Sequence, residues 1–160
     1  MLLRPCDECG FDASTVDARE VGAALAANAA RWVEILTRAD VRVRARPDRW
    51  SALEYGCHVR DVFRLYDFRL RLMLENDGPS FPNWNQDETA ATENYREQDP
   101  LTVANELLAA QQSLSATFAR VADDQWGRMG FRSDGAHFTI DTFARYLLHD
   151  PVHHLADVES

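Results

Sequence analysis

The sequence predicts an all-α four-helix bundle. Three observations carry this. Four runs repeat apolar residues at helical spacing, Ser51 and Asp99 give clear helix starts, and no run alternates with period two for long enough to suggest a sheet. The 160 residues fit one domain, 1–160, around a single core, with residues 1–13 as a tail.

The first run spans about Ser14 to Arg38. Val21, Ala24, Leu25, Trp32, Ile35 and Leu36 recur at helical spacing, and Ser14 with Asp17 reads as a capping pair. Arg42, Arg44, Arg46 and Arg49, with Pro47 among them, read as a solvated connector. The second helix starts at the capping box Ser51-Ala52-Leu53-Glu54 and runs to about Glu75. Val59, Val62, Phe63, Tyr66, Leu70, Met73 and Leu74 form its apolar face, and Asn76-Asp77-Gly78-Pro79 stops it. A long connection follows, with helix restarting near Asp87. Asp99 as N-cap and Pro100 at the first position open the third long helix, which extends to about Val121. A second connection covers Ala122 to Phe138. The last helix begins near Thr139 or Asp141 and carries Ile140, Phe143 and Leu147 before a histidine cluster. Trp84 and Trp126, one in each connection, read as core plugs first and pocket walls second.

Composition bounds the function. No stretch approaches the roughly 20 apolar residues that span a bilayer. The apolar part of Met1 to Cys6 is too short for a signal peptide, so a cytoplasmic protein is expected. The net charge of −9, with no basic tract among the arginines, argues against a nucleic-acid partner and leaves a small molecule as the expected one. The oligomeric state stays open, a homodimer included.

Three of the five histidines fall within His149-Asp150-Pro151-Val152-His153-His154. His149 and His153 are one turn apart on one side of a helix and can grip one divalent ion. A reactive site needs at least a third ligand, and His58 on the second helix is the candidate. In an ideal helix His149 and His153 share a side with Thr142 and Tyr146, nearly opposite the stripe of Ile140, Phe143, Leu147 and His154, so they face a polar groove or solvent. Pro151 is expected to disturb the helix there. His154 lies about 100° around from His153 and is left outside the set. Asp61 and Asp157 are candidates for carboxylates that hold the far ring nitrogens of metal-bound histidines.

The order Trp50-Ser51-x-x-Glu54-x-x-x-His58-Val59-x-Asp61, followed far downstream by Tyr146-Leu147-Leu148-His149-x-x-x-His153-His154-Leu155-x-Asp157-Val158, resembles the DinB superfamily. This superfamily includes mycothiol-dependent maleylpyruvate isomerases and bacillithiol-linked S-transferases. The resemblance covers the chain from about residue 15 onward. It implies a DinB-like four-helix bundle holding a divalent transition metal, zinc or nickel, on His58, His149 and His153. It also implies an activated low-molecular-weight thiol such as mycothiol, used for isomerisation or transfer. The Ala- and Arg-rich, Lys-free composition points to a high-GC bacterial source, for which mycothiol is the expected thiol.

Cys6-Asp7-Glu8-Cys9-Gly10-Phe11 looks like half of a zinc knuckle and departs from that pattern. Three readings stay open. Cys6 and Cys9 are a reduced pair in a loose tail, or the tail folds over the bundle end and brings both thiolates to the histidine metal, or they form a separate site or an intersubunit bridge. Two functions compete accordingly: a metal-dependent thiol transferase or isomerase with an open coordination position, and a non-enzymatic metal-binding or stress-linked protein with a closed Cys/His site. No Ser-His-Asp order, P-loop or dinucleotide turn offers a third.

Overall fold

The structure is a computed structural model and describes residues 4–159. Met1, Leu2 and Leu3, the apolar start of the chain, lie outside the described residues. Four long helices form the bundle: α1 (Val21–Leu36), α2 (Ala52–Glu75), α4 (Pro100–Phe118) and α5 (Ile140–Glu159). A short α3 (Gln86–Thr92) lies in the connection between α2 and α4. α1 and α2 each pack against both α4 and α5. Trp32, Phe63, Phe143, Leu25, Leu70 and Leu107 are fully buried between them. Each such side chain contributes about 1.5–3 kcal/mol relative to exposure.

The helix starts follow the sequence signals. Ser51 caps α2 in a complete capping box: its hydroxyl accepts from Glu54 N–H, and Glu54 Oε2 accepts from Ser51 N–H at 2.9 Å. Asp99 caps α4 by accepting from Thr102 N–H at 2.9 Å, with Pro100 in the first turn. The start of α1 differs from expectation. Asp12 accepts from Ser14 N–H and Asp17 from Arg19 N–H, so the two acids cap two 3-10 turns, Ala13–Thr15 and Ala18–Glu20, before α1 begins. α5 runs through Pro151 unbroken, and buried Asn28 of α1 donates to the Pro151 carbonyl at 3.0 Å.

The two connections meet in a small sheet that the sequence did not suggest. β1 (Ser80–Phe81) pairs parallel with β2 (Met129–Arg132), which pairs antiparallel with β3 (His137–Thr139). Gly135, at φ +93°, turns the chain between β2 and β3. Strands of two to four residues are too short to print a period-two pattern. The sheet sits close on α2: a Cβ at Gly130 would lie 2.9 Å from Met73 Sδ and 3.0 Å from Phe81 Cε1.

The arginine-rich connector is less free than its composition implies. Arg44 donates to the buried Glu54 carboxylate through Nε (2.9 Å) and Nη2 (2.5 Å), and Arg42 donates to the Arg96 and Gln98 carbonyls. Trp126 packs on Phe118 as a core plug. No helix among the described residues is long and apolar enough to cross a membrane.

Candidate metal centres

α5 carries two interleaved pairs at i, i+4. Asp150 and His154 continue the stripe of Ile140, Phe143 and Leu147 that faces the bundle. His149 and His153 lie about 100° behind them and face the N-terminal segment. The structure therefore divides the chelating side chains into two clusters, and within each the ligand atoms lie within 4.8 Å of one another. One is His58, Asp150 and His154; the other is Cys6, Cys9, His149 and His153. The expected set of His58 with His149 and His153 is not brought together as one cluster among the described residues.

In the first cluster His58, 0 % exposed on α2, places Nε2 at 3.1 Å from Asp150 Oδ1. His154 Nε2 lies 3.7 Å from the same oxygen. Asp157 Oδ2 holds the far nitrogen of His154, Nδ1, at 3.0 Å, which directs Nε2 toward Asp150 and His58. Burial lowers the pKa of His154 in spite of the nearby acids, favouring the neutral imidazole that a metal requires. Burial pushes the Asp150 carboxyl up, but the His58 hydrogen bond and the neighbouring histidines outweigh it and hold it below the usual range. Aromatic rings wall the cluster. Trp84 stacks on His58 at 5.2 Å and 3°, Trp50 tilts against it at 5.5 Å, and Tyr55 lies 4.7 Å from His154. Two imidazoles and a carboxylate form a donor set that suits zinc or nickel and leaves coordination positions to small molecules. The far nitrogen of His58, Nδ1, is buried without a partner.

A cleft of about 220 Å³ opens onto Asp150 between Trp84, Tyr66, Tyr146, Arg69 and Arg132. Arg132 is paired with Asp134. Arg69 is buried over the rings of Phe81 and Tyr66, gives one hydrogen bond to the Pro82 carbonyl, and leaves Nε unpartnered. Among the described residues no carboxylate lies within ion-pair distance of Arg69, and burial lowers its pKa.

In the second cluster the N-terminal segment lies along α5. Cys6 Sγ is 3.7 Å from His153 Nδ1, and Phe11 packs on the His149 ring at 5.4 Å. The Cys6 thiol is held down to about 6, first by the Cys9 backbone N–H, then by His149 and the Glu8 N–H. Cys9 is pushed up by burial and by the adjacent Cys6. Cys57 takes no part. It is buried in the core, facing the Tyr95 carbonyl and Gln98, and burial raises it to about 12.

Of the two acids expected to support the histidines, Asp157 lies where it can: besides His154, it is 3.7 Å from His153 Nε2. Asp61 is engaged elsewhere, accepting from the Tyr95 hydroxyl at 2.5 Å and from Arg60 Nε at 2.9 Å. Asp150 and His154 lie outside the expected set, although both continue the apolar stripe that faces the bundle.

A family model described as the DinB superfamily matches residues 20–158. No curated protein matches the chain. Among solved structures the chain is similar to YfiT from Bacillus subtilis, described as a probable metal-dependent hydrolase with an unusual four-helix bundle topology. The TM-score is 0.74 and the identity 18%, over 89% of this chain and 82% of that one. At that identity the likeness speaks for the fold.

Proposed function

The chain belongs to the DinB superfamily, and from that premise we propose that it is a metal-dependent enzyme whose divalent ion is held by His58, Asp150 and His154. The observation that carries this reading is the convergence of their three ligand atoms, one from α2 and two from α5, beside an open cleft. A divalent ion bound there supplies Lewis acidity that makes a nucleophile of a thiol or water at neutral pH. The chain's own residues do the rest. Asp157 fixes the tautomer of His154, Trp84 and Trp50 exclude water from His58, and Arg69 with Arg132 suits a substrate that carries an anionic group such as a carboxylate.

The nucleophile in this proposal is a low-molecular-weight thiol of the mycothiol type, and the reaction is transfer or isomerisation. The resemblance of the His58 and Tyr146–Val158 segments to the DinB superfamily, which includes thiol-dependent members, supports it. Water is the competing nucleophile, favoured by the description of YfiT. Metal-loaded protein incubated with a carboxylate-bearing electrophile, with and without mycothiol, glutathione or cysteine, separates the two. Thiol-dependent turnover that is lost in His58→Ala supports the transferase or isomerase. Hydrolysis at equal rate without any thiol replaces it with a hydrolase. The four-donor cluster is separate from His58, so a closed Cys/His site does not by itself argue for the non-enzymatic reading.

A further inference from the structure

We infer that Cys6, Cys9, His149 and His153 form a second, closed metal site, a tetrahedral Cys2His2 zinc centre that fastens the N-terminal segment to α5. The inference does not depend on the reading of the His58 cluster.

The geometry of the segment is that of a metal knuckle. Gly10 N–H donates to the Cys6 carbonyl at 2.9 Å and Cys6 N–H to the Phe11 carbonyl at 2.8 Å, which folds residues 6–11 into a tight loop, and the two sulfurs lie within 4.8 Å of each other. Gly10 sits at φ +72°, a conformation that a side chain would strain. Cysteine binds a metal as the thiolate.

The two histidines complete the set. Zn–S bonds of about 2.3 Å and Zn–N bonds of about 2.0–2.1 Å in a tetrahedron put neighbouring donor atoms roughly 3.3–3.8 Å apart. Cys6 Sγ and His153 Nδ1 are already at 3.7 Å. His149 Nε2 is buried and has no hydrogen-bond partner, a cost that a metal bond removes. His153 turns its far nitrogen, Nε2, to Glu8 at 3.3 Å, so a carboxylate of the knuckle itself orients the ring. Two thiolates and two imidazoles fill a zinc ion's coordination, which marks a structural centre, and soft sulfur donors select zinc over magnesium or calcium.

Phe11 packs on the His149 ring of α5, and Arg145 donates to the Ala13 carbonyl at 3.3 Å. Because the ligands alternate along α5 as His149, Asp150, His153 and His154, an ion on the first and third also sets the helix turn that presents the second and fourth.

Full-length protein is stripped with chelator and reloaded with cobalt. The expected spectrum has sulfur-to-cobalt charge transfer in the near ultraviolet and the intense visible bands of tetrahedral cobalt. Both are retained in His58→Ala and lost in the Cys6→Ser, Cys9→Ser double variant. Should that variant fold poorly, the wild type alone decides: an organomercurial added to zinc-loaded native protein releases one zinc per chain as it titrates two thiols, Cys57 being buried. Cobalt loading without sulfur charge transfer overturns the proposal. So does organomercurial treatment that releases no zinc, or a Cys6–Cys9 disulfide in protein purified with its metal.

Discussion

His58 of α2 and Asp150 of α5 meet across the bundle, with Nε2 and Oδ1 at 3.1 Å, and His154 reaches the same carboxylate one turn further on. α2 is anchored just upstream by its capping box and by Arg44 on Glu54, and α5 is registered against α2 by the packing of Phe143 on Tyr66 at 4.7 Å. The side chains that could hold an ion are thus presented by two packed helices, a placement more exact than loops provide.

Substitutions in this cluster should act on metal content selectively. His58→Ala, Asp150→Ala and His154→Ala are each expected to lose one of two ions per chain, one from each cluster. Asp157→Asn keeps its size but accepts more weakly from His154, and should weaken binding about 10- to 100-fold. Elemental analysis and competition with a chromogenic chelator measure both. Unchanged affinity in Asp157→Asn would remove that residue from the account.

Glu54 should carry measurable stability. Its carboxylate is buried, caps α2 through Ser51 N–H and accepts from Nε and Nη2 of Arg44. Glu54→Ala is expected to cost about 2–3 kcal/mol, read from urea unfolding. Burial opposes ionisation of Glu54, but Arg44 and Ser51 outweigh it and depress the pKa. With a depressed folded pKa, the contribution is full above the unfolded value of about 4.3 and is lost as pH falls through the lower folded value. The gap between wild type and Glu54→Gln should accordingly narrow below about pH 4.

Gly130→Ala should destabilise the fold by about 1–3 kcal/mol, because the new methyl meets Met73 and Phe81 where the sheet lies on α2. Thermal unfolding checks it. A melting temperature equal to wild type would show that Met73 yields without cost.

Cys57 should resist alkylation in the native state. With its pKa raised to about 12, the thiolate fraction at about pH 8 is on the order of 10⁻⁴, and burial blocks access. Mass spectrometry after iodoacetamide treatment of metal-stripped protein should find Cys6 modified and Cys57 intact. Equal labelling of the two would mean that the core around Cys57 opens.

Much of the fold was legible because caps and periodicity are local. Ser51, Glu54 and Asp99 mark helix starts within a few residues, and the apolar spacing of α2, α4 and α5 needs no tertiary knowledge. The sheet was not legible, since β1 contributes two residues and its pairing with β2 joins segments far apart in sequence. The candidate site was legible in its residue types and incompletely in its grouping. Two i, i+4 pairs one residue out of phase share the same turns of α5, and spacing alone does not say which of them His58 faces. The side chains that settle the grouping, Asp150 and His154, follow the apolar stripe, while the knuckle that takes His149 and His153 is brought by a segment more than a hundred residues away. The arginine connector misled for the same reason: Arg44 looks solvated until Glu54 is placed beside it.

The most direct test is a crystal structure of protein loaded with zinc or nickel, with anomalous scattering recorded at the metal edge. Expected are a peak between His58, Asp150 and His154 with no cysteine ligand, and a separate peak within the Cys6, Cys9, His149 and His153 cluster. A single ion bound jointly by His58, His149 and His153 would contradict this division into two sites.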